Sequence, residues 1–257
     1  MNPRQQTIAF STIFRRETIR IARIWPQTLL PPVITQTLYF VIFGKFIGRH
    51  ISDINGVSYI AFIVPGLVMM AVISNSFTNV VSSFFGTKFQ RNVEELLVSP
   101  TPNAVIVAGY MAGGMIRGIL VGFLVFAVSI FFTHPHIHNI AVVITFIILT
   151  SALFSLGGFL NAILAKSFDD ISIFPTFVLT PLTYLGGVFY SIHDLPPFWQ
   201  KISLLNPVLY MVNGFRFGFY GFSDVDIALS ILMLAVLCAM LMAVNLRFLN
   251  QGTGLKQ

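Results

Sequence analysis

Charged residues are scarce in this chain of 257 residues, since Asp, Glu, Lys and Arg together make up only 9% of it. A soluble domain usually carries about a quarter charged residues, because its surface has to be wetted. A disordered chain is excluded as well, because 56% of the residues belong to the apolar set AVILMFWYC. The composition therefore indicates a membrane protein with several spans.

Disulfides and common catalytic motifs are also lacking. Cys238 is the one cysteine, so no intrachain disulfide can form. No lysine stands in a G-x-x-x-x-G-K-[ST] loop, and neither H-E-x-x-H nor G-x-S-x-G occurs. The alternating histidines His134, His136 and His138 have no further ligands in evidence, so we expect no metal site. The net charge of +6 reflects the placement of basic residues beside spans rather than nucleic-acid binding.

Six stretches are apolar and long enough to cross a bilayer, which requires about 20 helical residues. None of them contains an acidic residue, which argues against a proton or sodium relay. The predicted spans are 28–46, 58–85, 104–132, 140–165, 171–190 and 227–246. We therefore expect an all-α polytopic membrane protein.

Basic residues beside the spans indicate the orientation, because Lys and Arg stay preferentially on the cytoplasmic side. Six spans place both termini on one face, and that face holds ten basic residues against four on the other. The ten are Arg4, Arg15, Arg16, Arg20, Arg23, Lys88, Arg91, Lys166, Arg247 and Lys256, and the four are Lys45, Arg49, Lys201 and Arg216. The sequence therefore predicts cytoplasmic termini.

Residues 7–25 have the periodicity of an amphipathic helix. Arg16, Arg20 and Arg23 lie away from an apolar face that Glu17 interrupts. The apolar face consists of Phe10, Ile13, Phe14, Ile21, Ile24 and Trp25. Two interpretations remain open: an interfacial helix whose arginines meet anionic headgroups or an acidic partner, or a cluster that acts only as a topology signal.

The segment 86–100 predicts a short amphipathic helix between the second and third spans. Arg91 is spaced to pair with Glu94 and Glu95, and Pro100 ends the helix. Phe89, Val93, Leu96 and Leu97 form the apolar face. Such a helix either lies on the membrane or fits a cleft on a soluble partner.

Polar residues inside the spans mark surfaces that face protein rather than lipid. Arg117 is charged and lies within the third span, so it either faces substrate or a second copy, or it bonds backbone carbonyls or snorkels. Asn75 and Asn79 mark an inward-facing surface on the second span. The glycines around Arg117 allow close helix packing; they are Gly109, Gly113, Gly114, Gly118 and Gly122.

The segment 191–226 is apolar but is broken by prolines and glycines. Two short helices that dip into the outer leaflet fit this pattern better than a seventh span at 208–222. Fifteen residues interrupted by Arg216 fall short of a span, and a further crossing would move the C-terminus outside.

The order of these features resembles the type-2 ABC exporter permeases. The most specific stretch runs from Phe168 to Gly218, with LPP-x-W at 195–199, NP-x-x-Y at 206–210 and Arg216 after them. The resemblance covers essentially the whole chain. It implies that residues 1–257 form a single transmembrane domain of a transporter in the bacterial inner membrane. A second copy and two P-loop ATPase subunits, which bind ATP and Mg, are the implied partners.

The resemblance also assigns roles to residues. The 7–25 helix becomes the interfacial connecting helix, 86–100 the coupling helix that docks in the ATPase, and 191–226 the outer re-entrant hairpin. The implied coupling residues are Phe89, Gln90, Arg91, Glu94, Glu95 and Leu97. The implied hairpin residues are Pro196, Pro197, Trp199, Asn206, Pro207, Tyr210 and Arg216. The expected substrate path carries Asn75, Asn79, Arg117, Thr180 and Thr183, where Pro175 and Pro181 let the fifth span bend.

The cargo leaves no simple motif in the sequence. Scattered hydroxyls and amides with one arginine favour an amphipathic molecule, lipid or glycolipid over a long polysaccharide. A polysaccharide exporter of the same family is the alternative, and an ATP-independent channel or membrane scaffold is a further one. The chain itself is expected to bind no cofactor and to contact membrane lipids.

Overall fold

A computed structural model describes residues 1–54 and 56–254, without the side chains of Arg49 and Leu97. Lys256 lies outside the described residues. Within them, extended pairing is limited to one isolated bridge between Ile54 and Val57. The described chain is therefore all-helical, as predicted.

The helices follow one another with short connections. They are α1 (Pro3–Arg23), α2 (Trp25–Tyr39, continued by a π-helix at Phe40–Ile47), α3 (Tyr59–Phe89), α4 (Asn92–Val98), α5 (Asn103–Ser129), α6 (Ile140–Leu164), α7 (Asp170–Phe174, continued by a π-helix at Pro175–Leu179), α8 (Thr180–Tyr184), α9 (Pro197–Leu204), α10 (Pro207–Tyr220) and α11 (Ile227–Gln251). Two 3₁₀ turns lie at Gly48–His50 and Ile192–Asp194.

Polar caps and left-handed glycines set several of these bounds. Asn139 accepts hydrogen bonds from the backbone N–H groups that open α6, at 3.1 and 3.3 Å. Asp226 accepts from Leu229 N at 2.7 Å at the start of α11. Gly221 ends α10 with φ of 77°, a conformation that costs glycine little.

Five helices of the described chain are long and apolar enough to span a membrane. They are Trp25–Ile47, Tyr59–Phe89, Asn103–Ser129, Ile140–Leu164 and Ile227–Gln251. These five agree with five of the six predicted spans. The segment predicted as the fifth span, 171–190, is helical only over Asp170–Tyr184, three consecutive pieces of five residues each, which is about 22 Å long. The six-span count therefore stays a prediction.

The bundle has two ends, which we name after α4 and α9. At the α4 end, Asn103 at the start of α5 donates to Asn250 at the end of α11, at 2.7 Å. At the α9 end, His138 N donates to Phe219 O at 3.0 Å, so α6 begins where α10 finishes. Residues 170–190 lead from the first end to the second, because Ser191 Oγ reaches Asp224 Oδ2 at 2.9 Å at the α9 end.

Helix α3 forms the centre of the bundle, and 83% of the residues in its most apolar part are buried. Glycines on α5 and α6 allow this, because their backbones lie directly against α3. A Cβ at Gly158 would lie 2.5 Å from Phe77 O, and one at Gly122 would lie 2.6 Å from Val72 Cγ2. Small residues at such crossings let membrane helices gain dispersion contacts that lipid cannot supply.

This packing predicts the effect of Gly158→Ala. The added methyl meets the backbone of Phe77, which cannot rotate away, so we expect destabilisation of about 1–3 kcal/mol. Gly86→Ala is the matched control on α3, since nothing lies within 4 Å of its Cβ position. That control should be neutral or stabilising by about 1 kcal/mol through helix propensity. Thermal unfolding midpoints of the purified protein in detergent test this, and equal midpoints for the two variants would contradict it.

Candidate functional site

Helix α1 is clamped to the α4 half of the bundle by a buried carboxylate. Glu17 is 1% exposed and accepts a hydrogen bond from Ser83 Oγ on α3 at 2.6 Å. Arg20 Nη2 pairs with its other oxygen at 3.0 Å. The same Arg20 atom donates to Asn79 Oδ1 at 2.8 Å. The polar residue that interrupts the apolar face of α1 is therefore the one that attaches it to α3.

A second set of contacts joins α1 to α5. Arg16 Nη2 donates to the hydroxyl of Tyr110, and its guanidinium carbon lies 5.2 Å from the centre of that ring. Gly109 and Gly113 make room for α1, because a Cβ at Gly113 would lie 2.6 Å from Cβ of Glu17. The predicted amphipathic helix is thus present from Pro3 to Arg23, and its apolar face packs on protein at Ile13 and Ile21.

Arg117 is buried and bonds to uncharged partners. Its Nη2 donates to Thr28 O on α2 and to Asn75 Oδ1 on α3, both at 3.3 Å. Among the described residues, no carboxylate lies within 4 Å of it. Its Nε is buried without a hydrogen-bond partner. Arg117 therefore bonds oxygens of two neighbouring helices through one nitrogen, and its role on a substrate path stays a prediction.

The residues expected on the substrate path lie mostly inside the bundle. Asn75, Asn79 and Thr183 are buried, whereas Thr180 is exposed. Asn75 and Asn79 face the arginines described above, and Thr183 donates to Thr180 O at 2.8 Å. Neither of the two cavities described below is lined by any of them, so the path stays a prediction.

A cavity of about 250 Å³ separates the middle of α3 from α7 and its π-helix. Apolar side chains and hydroxyls line it together: Phe77, Thr78, Val81, Ser82, Ile171, Ser172, Pro175 and Thr176. Pro175 opens the π-helix, and Pro181 lies two residues after its end. The bend expected at these prolines stays a prediction.

Helix α4 connects α3 to α5, and its acidic residues are exposed. Gln90, Arg91, Glu94 and Glu95 are exposed, and Phe89 is 58% exposed at the end of α3. Leu97 lies outside the described side chains. Arg91 separates α3 from α4 in a left-handed conformation with φ of 62°, so residues 86–100 form two helices rather than one. The predicted pairing of Arg91 with Glu94 and Glu95 is not formed in the described part of the chain.

Two buried residues fix α4 to the bundle. Val93 is 2% exposed and packs in the apolar cluster of the α4 end. Just before α4, Lys88 Nζ donates to the carbonyls of Ile163 and Ala165 at 2.7 and 2.6 Å. A buried ammonium that satisfies the last carbonyls of α6 caps that helix, so α4 and α6 are linked through the end of α3.

The turn between α6 and α7 is closed by Asp170. Its carboxylate accepts from Lys166 N at 2.8 Å and from Ser167 N at 3.0 Å. The first of these hydrogen bonds is the main cause of a lowered pKa for the Asp170 carboxyl. Ser167 Oγ accepts in turn from Asp170 N at 3.2 Å, so the two residues close the turn reciprocally.

The hairpin α9–α10 is held by side chains at its two turns. Pro196 and Pro197 open α9, and Trp199 is 45% exposed. Asn206 Nδ2 donates to Leu182 O at 2.7 Å, and its Oδ1 accepts from Val208 N at 2.9 Å, next to Pro207. Tyr210 OH donates to Leu204 O at 2.9 Å. The paired short helices predicted for 191–226 are present, and their depth in the bilayer stays a prediction.

Arg216 lies at the centre of the α9 end and is 1% exposed. Its Nη2 donates to Gly187 O at 2.6 Å, and its guanidinium carbon lies 3.9 Å from the centre of the Phe62 ring. Asn213 Oδ1 accepts from it at 3.2 Å. The residue joins α10, α3 and the segment after α8, which makes it a structural anchor of this end.

Sequence reasoning missed three buried polar roles: those of Glu17, Lys88 and Asp224. Glu17 stood out only as an interruption of an apolar face, and Lys88 was counted only as a topology signal. Asp224 accepts from Ser191 Oγ and from Ile192 N at 3.1 Å, which no local pattern indicated. In residues 1–54 and 56–254, no cluster of His, Cys, Asp or Glu has the arrangement of a metal site.

Comparisons with known proteins identify one family and several relatives of this chain. Residues 8–220 match the family described as ABC-2 type transporter. The chain is 55% identical over 249 residues to the inner membrane transport permease YadH of Escherichia coli strain K12, covering 97% of each protein. It is 26% identical to nodulation protein J of Neorhizobium galegae, covering 84% of this chain and 83% of that protein. Nodulation protein J of Rhizobium leguminosarum bv. viciae is 24% identical, covering 88% and 86%.

The clamp on α1 predicts the effect of Glu17→Ala. This variant leaves Ser83 without its buried acceptor and removes the anion beside Arg20, so α1 should loosen at a cost of about 1–3 kcal/mol. Proteolysis within residues 1–24 of the folded protein should accelerate while the spans stay protected. Arg4→Ala is the control on α1, since Arg4 is exposed. Unchanged protection of α1 in Glu17→Ala would contradict the clamp.

Proposed function

Because this chain belongs to the ABC-2 type transporter family, we propose that it is the permease subunit of an ATP-driven exporter, working as two copies with two separate ATPase subunits. It is a multi-pass inner-membrane transport permease, and the assembly and its coupling are the proposal. The observation that carries it is α4: an exposed acidic helix held firmly at the end of α3 by Val93 and Lys88.

The coupling step follows from where α4 is attached. The sequence contains no P-loop, so ATP and Mg are bound by the partner. When two ATPase subunits close on ATP, each pushes the α4 that sits in its cleft. That push reaches α3 directly and α6 through Lys88, so the helices move as packed bodies. ATP drives the cycle only through its different affinity for the two states.

The fifth predicted span, 171–190, serves in this proposal as a crossing in addition to the five long helices. It leads from the α4 end to the α9 end, and the connection from Lys166 to Ser191 has no other helix to carry it across. A segment shorter than a full span is tolerated where protein covers it. Six crossings place both termini and α4 in the cytoplasm, in agreement with the distribution of basic residues.

The second copy is proposed to cover α2 and the α7–α8 segment. Ile34, Leu38 and Phe177 are exposed on these two elements, which contact each other through the hydroxyls of Tyr39 and Tyr184 at 2.7 Å. The exposed Thr180 lies on the same segment. A path between two such faces would be apolar with scattered hydroxyls.

An amphipathic small molecule, lipid or glycolipid is the proposed cargo. The cavity beside α7 supports this, because apolar side chains and hydroxyls line it without a charged group among them. A polysaccharide is the second candidate within the same family. Mass spectrometry of molecules retained by the complex, with and without trapped ATP, separates the two.

Purification tests the assembly. The chain isolated from its native membrane in mild detergent should retain a P-loop ATPase, and native mass spectrometry should give two copies of each subunit. A complex that stays intact but contains no ATPase would overturn the proposal. Activity of the chain alone in liposomes, independent of ATP, would favour the channel or scaffold alternative.

The double variant Glu94→Lys and Glu95→Lys tests the role of α4. Reversal of both exposed charges should abolish ATPase binding, or reduce transport at least tenfold, while membrane insertion and thermal stability stay unchanged. Asp53→Lys is the matched control, because it reverses an exposed acidic residue on the other side of the bundle. Normal transport by the double variant would refute the coupling role.

A further inference from the structure

A wide cavity lies between α1 and the α4 end of α3. It has a volume of about 1000 Å³, which is the size of a small-molecule site. Four arginines of α1 line it: Arg15, Arg16, Arg20 and Arg23. Neither the attachment of α1 through Glu17 nor the proposed role of α4 explains why four arginines line one cavity.

Two of the four arginines have no role in holding α1. Glu17 neutralises charge from Arg20 at 3.0 Å and from Arg16 at 3.5 Å. In the described part of the chain, no carboxylate lies within 4 Å of Arg15 or Arg23. Both side chains are exposed and line the same cavity from positions about two turns apart on α1. The cavity therefore carries an uncompensated positive charge.

The α3–α4 side of the cavity offers neutral donors, and α1 adds two exposed isoleucines. Gln90 and Asn92 line the cavity from the connection between α3 and α4. Ile8 and Ile19 also line it and are 58% and 46% exposed. Guanidinium groups bind phosphate with two parallel hydrogen bonds, while exposed isoleucines beside them would contact an acyl chain. This combination matches an anionic amphiphile better than a free anion.

We propose that this cavity is a binding site for the phosphate diester of an anionic glycerophospholipid, held by Arg15 and Arg23. Basic pockets beside membrane helices on the cytoplasmic side take such headgroups. The proposal does not depend on ATP-driven transport, because it concerns the chain and its lipids alone. A lipid in this position would touch α1 and the residues just before α4 together.

The double variant Arg15→Gln and Arg23→Gln tests the site. The purified full-length chain is titrated with dioctanoyl-phosphatidylglycerol and, separately, with dioctanoyl-phosphatidylcholine, and native mass spectrometry counts the bound lipids. The wild type should prefer phosphatidylglycerol. Loss of two interfacial charges should weaken that binding about thirtyfold. Glutamine keeps the length and polarity needed for folding, and thermal stability should not change.

Arg4→Gln with Arg247→Gln is the matched control, since it removes two exposed arginines that do not line the cavity. Its phosphatidylglycerol affinity should stay within twofold of the wild type. An equal loss in both double variants would overturn the site, because the effect would then be general charge. Displacement of phosphatidylglycerol from the wild type by an equal concentration of inorganic phosphate would also overturn it, because the site would then bind free anions.

The remaining possible result is that a protein segment, rather than a lipid, occupies the cavity. If the Arg15→Gln and Arg23→Gln variant retains lipid normally but loses its ATPase partner, the arginines bind an acidic segment of that partner, and the lipid site is refuted. If lipid binding is lost while the ATPase stays bound, the site stands whether or not the complex transports. Failure of the lipid site and failure of the proposed function are thus separate results.

Discussion

The close contact of glycines on α5 and α6 with the backbone of α3 is the interaction on which the other helices depend. Within a bilayer, apolar side chains gain little by leaving lipid, so helices associate through close packing and hydrogen bonds. Gly114, Gly118 and Gly158 bring two neighbours against α3. Only when α3 is enclosed in this way can Asn75 and Asn79 lie buried and accept hydrogen bonds from Arg117 and Arg20.

Cations inside this bundle are satisfied mainly by neutral oxygens. Lys88 bonds two carbonyls at the end of α6, Arg117 bonds Thr28 O, and Arg216 bonds Gly187 O. A carbonyl dipole keeps its strength at every pH, and in a low dielectric such a bond is strong. Arg16 and Arg20 are the exceptions, because they pair with the carboxylate of Glu17, and all three lie on α1 rather than in a span. Charge pairing therefore acts at the α4 end, while the spans rely on dipoles.

The sequence predicted the helices that are marked by apolar length. It did not predict features that depend on residues far apart in the chain. Apolar length located Trp25–Ile47 and the other long helices, whereas the π-helix at Pro175–Leu179 was not predicted. No local pattern shows that Arg91 takes a left-handed conformation and so divides the expected helix 86–100 in two. Nor could spacing show that Glu17 is buried, because its partner Ser83 comes from a helix far along the chain. The roles of α4 and the path residues come from the family resemblance, since periodicity alone left them open.

The distribution of these contacts indicates which parts move together. At the α4 end, α1, α3 and α6 are joined through Glu17 and Lys88, so we expect a force on α4 to displace them as one body. At the α9 end, Arg216 and the hydrogen bond from Tyr220 OH to Ala61 O join α10 to α3. The α7–α8 segment, by contrast, is π-helical in its middle and exposed over most of its length. Because few of its side chains are buried, we expect it to change position more readily than α3 when the proposed transporter works.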